Sequence, residues 1–175
     1  MKYMIILGID PGTARIGYAV IEKKDSDNLN LLTCGCLEPK SKEQKDRLGE
    51  ISDLISDLIL KYRPEILAIE KLFFAKNAKT ALSVSEARGV IINSANSFNL
   101  KIFDFTPPEV KLAITGYGKA EKEQVRKMAC RILRIEIMPK LDDTSDALAI
   151  ALTACYTCSK LSARGGSASG GKNYQ

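Results

Sequence analysis

The first third of the chain shows short apolar runs separated by polar turns. Residues 4–9 form a nearly continuous apolar run, which is typical of a strand buried on both faces. A turn is predicted at residues 11–13, and β-rich segments follow at residues 15–22 and 30–37. The chain therefore opens with a predicted three-stranded antiparallel meander.

From residue 41 onward the pattern alternates between helical spacing and short apolar runs. Ser41 and Gln44 predict a capping box at the start of the first helix. Two short strands are predicted, at residues 66–69 and 101–105. Helices are predicted over residues 41–61, 80–98, 120–133 and 144–158, with a shorter one opening at residue 107. The order βββαβαβ followed by helices indicates an α/β domain.

Length and composition fit one globular domain. The chain has 175 residues, of which 45% are hydrophobic and 27% charged. No apolar run approaches the roughly 20 residues of a membrane span, and no export signal is recognisable, so we expect a cytoplasmic protein with no membrane partner. A Gly/Ser-rich segment begins at residue 161, which predicts a domain over residues 1–160 and a flexible tail over 161–175.

The types of residue present limit the chemistry. The chain has no histidine, which excludes Ser-His-Asp and Cys-His catalysis and any histidine-ligated metal. Its five cysteines are expected to be free thiols, and a zinc site is disfavoured because Cys155 and Cys158 lie one turn apart late in a predicted helix. Acid–base or metal chemistry must use carboxylates, lysines or tyrosines.

Positive charge is concentrated just before a group of aspartates. The net charge is +5, and residues 119–140 hold seven basic residues against three acidic ones. Lys119, Lys122 and Arg126 fall at i, i+3 and i+7 of the predicted helix, a spacing that suits contact with phosphates. A solvated helix face is the alternative explanation for the same pattern.

Four carboxylates stand where an α/β fold places its sites. Asp10 and Glu70 each end a predicted buried strand, and strand ends form the usual crevice of such a sheet. Asp143 and Asp146 lie three apart at the start of the last predicted helix, so they share one face. Helix or turn capping explains each acid separately, and Asp142 leaves open which aspartate pairs with Asp146.

An all-oxygen set of this kind favours Mg²⁺ over softer metals. Two such ions can activate a water molecule and stabilise the leaving 3′ oxygen of a phosphodiester. Nearby basic residues would then hold the polyanion against the acids.

Several blocks of sequence resemble the RuvC family of Holliday-junction resolvases. Residues 8–18 (GIDPGTARIGY) are similar to its first motif and residues 68–77 (AIEKLFFAKN) to its second. Three further blocks agree in order, namely SEARG (85–89), the stretch from PPEVK through GYGKAEK (107–122) and DTSDALAIA (143–151). The resemblance implies a ribonuclease H-like fold, in which a five-stranded mixed sheet with an antiparallel meander followed by parallel strands is flanked by helices. It also implies a metal-dependent endonuclease that resolves four-way DNA junctions in recombination and repair by paired symmetric nicks.

The same resemblance assigns roles to individual residues. Asp10, Glu70, Asp143 and Asp146 match the family's metal-binding and catalytic positions, and Lys122 joins them as a basic residue needed for activity. The resemblance implies Mg²⁺ as cofactor, two ions per subunit, with Mn²⁺ as a substitute. The residues expected to contact DNA, by this match or by their charge, are Phe73, Lys76, Asn77, Lys111, Lys119, Lys122 and Arg126.

The implied partners are four-way junction DNA, a second copy of the chain and a branch-migration helicase complex. The helix around residues 84–95 is the candidate seam of the homodimer. Two other functions remain open from the residues themselves. A ribonuclease H-like nuclease that matures ribosomal RNA would use the same carboxylates. The run from Asp10 to Thr13 also resembles the first phosphate motif of the actin/hexokinase ATPases, although one 175-residue domain does not easily supply their two-lobed cleft.

Overall fold

A computed structural model describes residues 3–25, 28–72, 78–135 and 142–164. Its strands are β1 (Met4–Asp10), β2 (Ile16–Lys23), β3 (Leu29–Leu37), β4 (Ile66–Glu70) and β5 (Lys101–Phe105). Its helices are α1 (Gln44–Tyr62), α2 (Ala78–Ser97), α3 (Pro107–Thr115), α4 (Lys122–Ile132) and α5 (Asp142–Arg164).

The five strands form one mixed sheet in the order β3-β2-β1-β4-β5. β1 pairs antiparallel with β2, and β2 pairs antiparallel with β3. β4 pairs parallel with both β1 and β5. The predicted fold class, an antiparallel meander continued by parallel strands and flanked by helices, is confirmed.

Helices cover both faces of the sheet, which explains the continuous apolar run in β1. Successive side chains of a strand point to opposite faces. Ile6 packs in a cluster with α3, α4 and α5, whereas Leu7 and Ile9 pack in a second cluster with α1 and α2. All three side chains are fully buried, so neither face of β1 tolerates a polar residue before Asp10.

Two predicted details of the helices are wrong. α1 begins at Gln44 after the N-cap Glu43, which makes no side-chain cap. Ser41 donates its hydroxyl to Glu50 instead, so the predicted capping box does not form. α5 runs to Arg164, so residues 161–164 of the predicted tail are helical, while residues 165–175 lie outside the described part of the chain.

The cysteines are thiols, as the sequence predicts. None of the five, all of which lie in the described part of the chain, forms a disulfide, and Cys130, Cys155 and Cys158 are buried. Burial raises the pKa of Cys155 to about 12, which keeps its thiol protonated. Over the described ranges, no helix is long and apolar enough to span a membrane.

Candidate active site

The site begins where two neighbouring parallel strands end. Ile9 of β1 pairs with Ile69 of β4, so the next residues, Asp10 and Glu70, end their strands at the same edge of the sheet. Their carboxyl groups are hydrogen-bonded to each other, a contact that contributes to the raised pKa of Asp10. Parallel pairing therefore brings together two acids that are 60 residues apart in the sequence.

Two glycines let α5 lie directly on the sheet beside these acids. Gly17 of β2 pairs with Asp10, and a Cβ at Gly17 would lie 1.9 Å from the carbonyl oxygen of Asp143. A Cβ at Gly8 would lie 2.6 Å from the carbonyl oxygen of Ala147. Only glycine permits this contact, and it places the first turn of α5 next to Asp10.

Burial and mutual repulsion shape the charge state of the cluster. Burial, followed by the negative charges of Glu70, Asp146 and Asp143, raises the pKa of Asp10 to about 8. Burial also raises the pKa of Glu70 and of Asp146, although the Lys122 ammonium opposes the rise in both. More negative charge is gathered here than the fold alone can neutralise at neutral pH.

Two cations lie against the aspartates of α5. The Nζ atom of Lys122 lies 2.7 Å from Oδ2 of Asp146 and 3.6 Å from Oδ2 of Asp142. The Nε atom of Arg15 lies 3.6 Å from Oδ2 of Asp143. The sequence analysis assigns a role to Lys122 but none to Arg15, which lies within the first motif and reaches the site because it follows the turn after Asp10.

Asp142 and Asp143 differ in exposure and in their effect on Asp10. The Asp142 side chain is 66% exposed, whereas those of Asp143 and Asp146 are each 33% exposed. Asp143 also contributes to the raised pKa of Asp10. α5 begins at Asp142, so Asp143 lies within its first turn and is not the residue that precedes the helix.

The predicted DNA-contacting residues fall into three groups. Lys111 and Lys122 line a cavity of about 220 Å³ together with Glu70 and Asp146. Arg126 lies one turn beyond Lys122 on α4 and pairs with Glu123 at 2.9 Å. Phe73, Lys76 and Asn77 lie outside the described residues.

The predicted helical stripe of three cations is wrong at Lys119. A capping box between Glu121 and Gln124 starts α4 at Lys122, with Glu121 N–H donating to Oε1 of Gln124 over 2.9 Å. Lys119 is exposed in the turn before the helix, so only Lys122 and Arg126 share a helix face.

The donor set suits a hard divalent cation. Its oxygens are all carboxylate oxygens, and the pKa of Asp10 is raised first by burial and then by neighbouring negative charge, a charge that a bound cation would offset. Across the described ranges, no three Asp, Glu or Cys side chains converge closely enough to hold a metal ion as they stand. The ion pairs of Lys122 with Asp146 and of Arg15 with Asp143 compete for the same carboxylates.

Comparison with known proteins identifies the family. The family described as crossover junction endodeoxyribonuclease RuvC matches residues 6–154. The chain belongs to this family. The crossover junction endodeoxyribonuclease RuvC of Natranaerobius thermophilus is 47% identical over 150 residues, which cover 85% of this chain and 92% of that protein.

Solved RuvC structures agree in fold. Thermus thermophilus RuvC in complex with a Holliday junction substrate has a TM-score of 0.84 and 32% identity, covering 90% of this chain and 96% of its own. The yeast mitochondrial Holliday junction resolvase Ydc2 has a TM-score of 0.69 over 90% of this chain and 80% of its own; at 14% identity this likeness shows the fold alone. The family and fold predicted from the motifs are both confirmed.

Proposed function

We propose that this chain is a Mg²⁺-dependent endonuclease that resolves four-way DNA junctions by paired nicks. The observation that carries the proposal is that Asp10 and Glu70, at two neighbouring strand ends, lie beside Asp146 of α5 and Lys122 of α4. Family membership supplies the substrate class, since a T. thermophilus relative has been solved with a Holliday junction substrate.

The four carboxylates Asp10, Glu70, Asp143 and Asp146 would hold the metal. Mg²⁺ bound there supplies an activated water molecule and a counter-charge for the leaving 3′ oxygen. We expect two ions per subunit, with Mn²⁺ as a substitute. Because the pKa of Asp10 is raised to about 8, metal binding at neutral pH would favour loss of a proton from this carboxyl group.

Basic residues around the carboxylates would hold the DNA backbone. Lys122 is 55% exposed, so its ammonium can leave Asp146 and contact a phosphate beside the carboxylates. Lys111, on α3, lines the same cavity as Lys122, and Lys119 and Arg126 are proposed to contact phosphates beyond it. Phe73, with Lys76 and Asn77, is proposed to contact bases near the branch point.

A homodimer would supply one active site for each of the two strands to be cut. A four-way junction has approximate two-fold symmetry, which a C₂ dimer matches. The candidate seam is the outward face of α2, where Leu82 is 68% exposed and Gly89 has no atom within 4 Å of an added Cβ. We also propose that the dimer works with a branch-migration helicase complex.

The experiment that tests this function compares substrates of one sequence. A labelled synthetic four-way junction and the matching linear duplex are incubated with the protein in Mg²⁺ or in EDTA. We expect nicks in the junction only, and only with Mg²⁺. Equal cutting of the duplex, or preference for a precursor ribosomal RNA added as competitor, would contradict the proposal.

A further inference from the structure

Arg88 of α2 bridges the helix and the ends of two parallel strands. Its Nε atom donates a hydrogen bond to the main-chain oxygen of Glu70 over 3.0 Å. Its Nη2 atom forms an ion pair with Oδ1 of Asp104 on β5. One guanidinium thus ties α2 to the last residue of β4 and to the neighbouring strand.

This contact differs from an ordinary surface ion pair. Exposed pairs contribute little because water screens them, but the Arg88 side chain is only 20% exposed. A guanidinium donates in a fixed planar geometry, so its two bonds define both a distance and a direction. Glu70 is the last residue of β4, and the N–H of Lys71, in the same peptide unit as the Glu70 oxygen, donates to the main-chain oxygen of Phe105 over 2.8 Å, so Arg88 adds a side-chain bond to a peptide that also contacts β5.

The position of Glu70 matters because its carboxyl group is hydrogen-bonded to that of Asp10. A carboxylate that helps to hold a metal ion must keep its orientation, and loss of a group that orients such a ligand typically weakens metal binding about 10–100-fold. Fixing the Glu70 peptide reduces the freedom of its side chain relative to Asp10 and Asp146.

We propose that Arg88 is a positioning residue that holds Glu70 in place for metal binding and couples α2 to the active site. This inference rests on the proposed function, because it deepens the account of the same site. It also links that site to the outward face of α2, on which Gly89 follows Arg88 directly.

The test compares Arg88→Ala with Arg47→Ala. Arg47 is a matched control, since its Nε atom also donates to a main-chain oxygen over 3.0 Å, that of Ser41, on a part of the chain that carries none of the four carboxylates. Mn²⁺ binding is measured by calorimetry without DNA, alongside junction affinity in EDTA and the thermal midpoint. We expect Arg88→Ala to bind Mn²⁺ about tenfold more weakly than Arg47→Ala, with junction affinity in EDTA changed less than about threefold.

Two further variants separate the two bonds of Arg88. Asp104→Asn removes the ion pair and leaves the bond to Glu70, so we expect near-normal Mn²⁺ affinity. Arg88→Lys keeps a positive charge without the planar fork, so we expect weak Mn²⁺ binding. If Arg88→Ala does not fold, Arg88→Lys decides the question.

Mn²⁺ affinity in folded Arg88 variants equal to that of Arg47→Ala would overturn the inference. Wild-type protein that binds Mn²⁺ but cuts no junction would instead overturn the proposed function, so the two failures are distinguishable.

Discussion

The carboxyl groups of the site are placed to bind a cation, and their burial lowers the stability of the metal-free fold. Asp10 is a buried acid surrounded by Glu70, Asp143 and Asp146, and its pKa is raised to about 8. A carboxyl group whose folded-state pKa exceeds its unfolded value loses stability as pH rises between the two. Without metal, the folded state should therefore weaken from about pH 4 to about pH 8.

Asp10→Asn should stabilise the metal-free fold at pH 8. The amide removes the charge that burial and neighbouring acids disfavour, and we expect a gain of about 1–2 kcal/mol in the free energy of unfolding, well below the full shift because the cluster relaxes. The measurement is urea unfolding in EDTA at pH 5 and pH 8. If the free energy of unfolding depends on pH in the same way in the variant and in the wild type, ionisation of Asp10 does not destabilise the fold.

Lys122→Ala should lower junction cleavage at least about tenfold, because it removes the cation beside Asp146 and the proposed phosphate contact. Lys122→Arg should recover part of the rate if positive charge is what matters. Lys127→Ala is the control on the same helix, since Lys127 pairs only with Glu123 among the described residues. The measurement is the single-turnover rate of junction cleavage. Equal rates for the two alanine variants would show that Lys122 has no role in cleavage.

For helices and strands, the local pattern of the sequence predicts the elements themselves but not the contacts between distant segments. The strands β1 and β4 are visible because their residues are buried on both faces, and Asp10 and Glu70 stand out as the acids that follow. The ion pair of Arg15 with Asp143 and the bond from Arg88 to Glu70 join distant segments, so no local pattern contains them. The capping box predicted at Ser41 is wrong for the same reason, because the Ser41 hydroxyl donates to Glu50, nine residues later in the chain.

The packing of α5 against β2 at Gly17 is a second contact that the spacing of the motifs does not predict. Glycine within a strand signals a close approach, yet only the structure shows that the neighbour is the backbone of Asp143. The position of α5 on the sheet, and with it the distance of Asp143 and Asp146 from Asp10, depends on this contact.

Gly17→Ala should displace α5 and cost about 1–3 kcal/mol of stability, because the new Cβ would lie 1.9 Å from a main-chain oxygen that cannot move alone. Junction cleavage should fall with it. Gly49→Ala in α1, where an added Cβ meets nothing within 4 Å, should leave cleavage unchanged and stabilise the helix by up to about 1 kcal/mol. Chemical denaturation of both variants checks this, and a neutral Gly17→Ala would refute the packing argument.

At the scale of the whole molecule, each chain carries one cluster of four acids, whereas resolution of a junction needs two matched cuts. The proposed dimer places α2 at its centre, and Arg88 then lies between the seam and the site. The same helix, α2, would then contribute to dimerisation and, through Arg88, to the active site.

Leu82→Asp should weaken the dimer without unfolding the chain, because Leu82 is 68% exposed in the single chain. Leu60→Asp, on α1 and 60% exposed, is the matched control and should leave the dimer intact. Sedimentation at micromolar concentration measures both. If Leu82→Asp sediments as the wild type does, the seam lies elsewhere.

Mapping the nicks that wild type and Asp10→Asn make on one labelled four-way junction tests whether the four carboxylates form one metal-dependent active site. We expect two symmetric nicks by the wild type in Mg²⁺, none in EDTA, and none by Asp10→Asn at any Mg²⁺ concentration, although Asp10→Asn still binds the junction. Paired nicks made by Asp10→Asn at the wild-type rate would contradict this expectation.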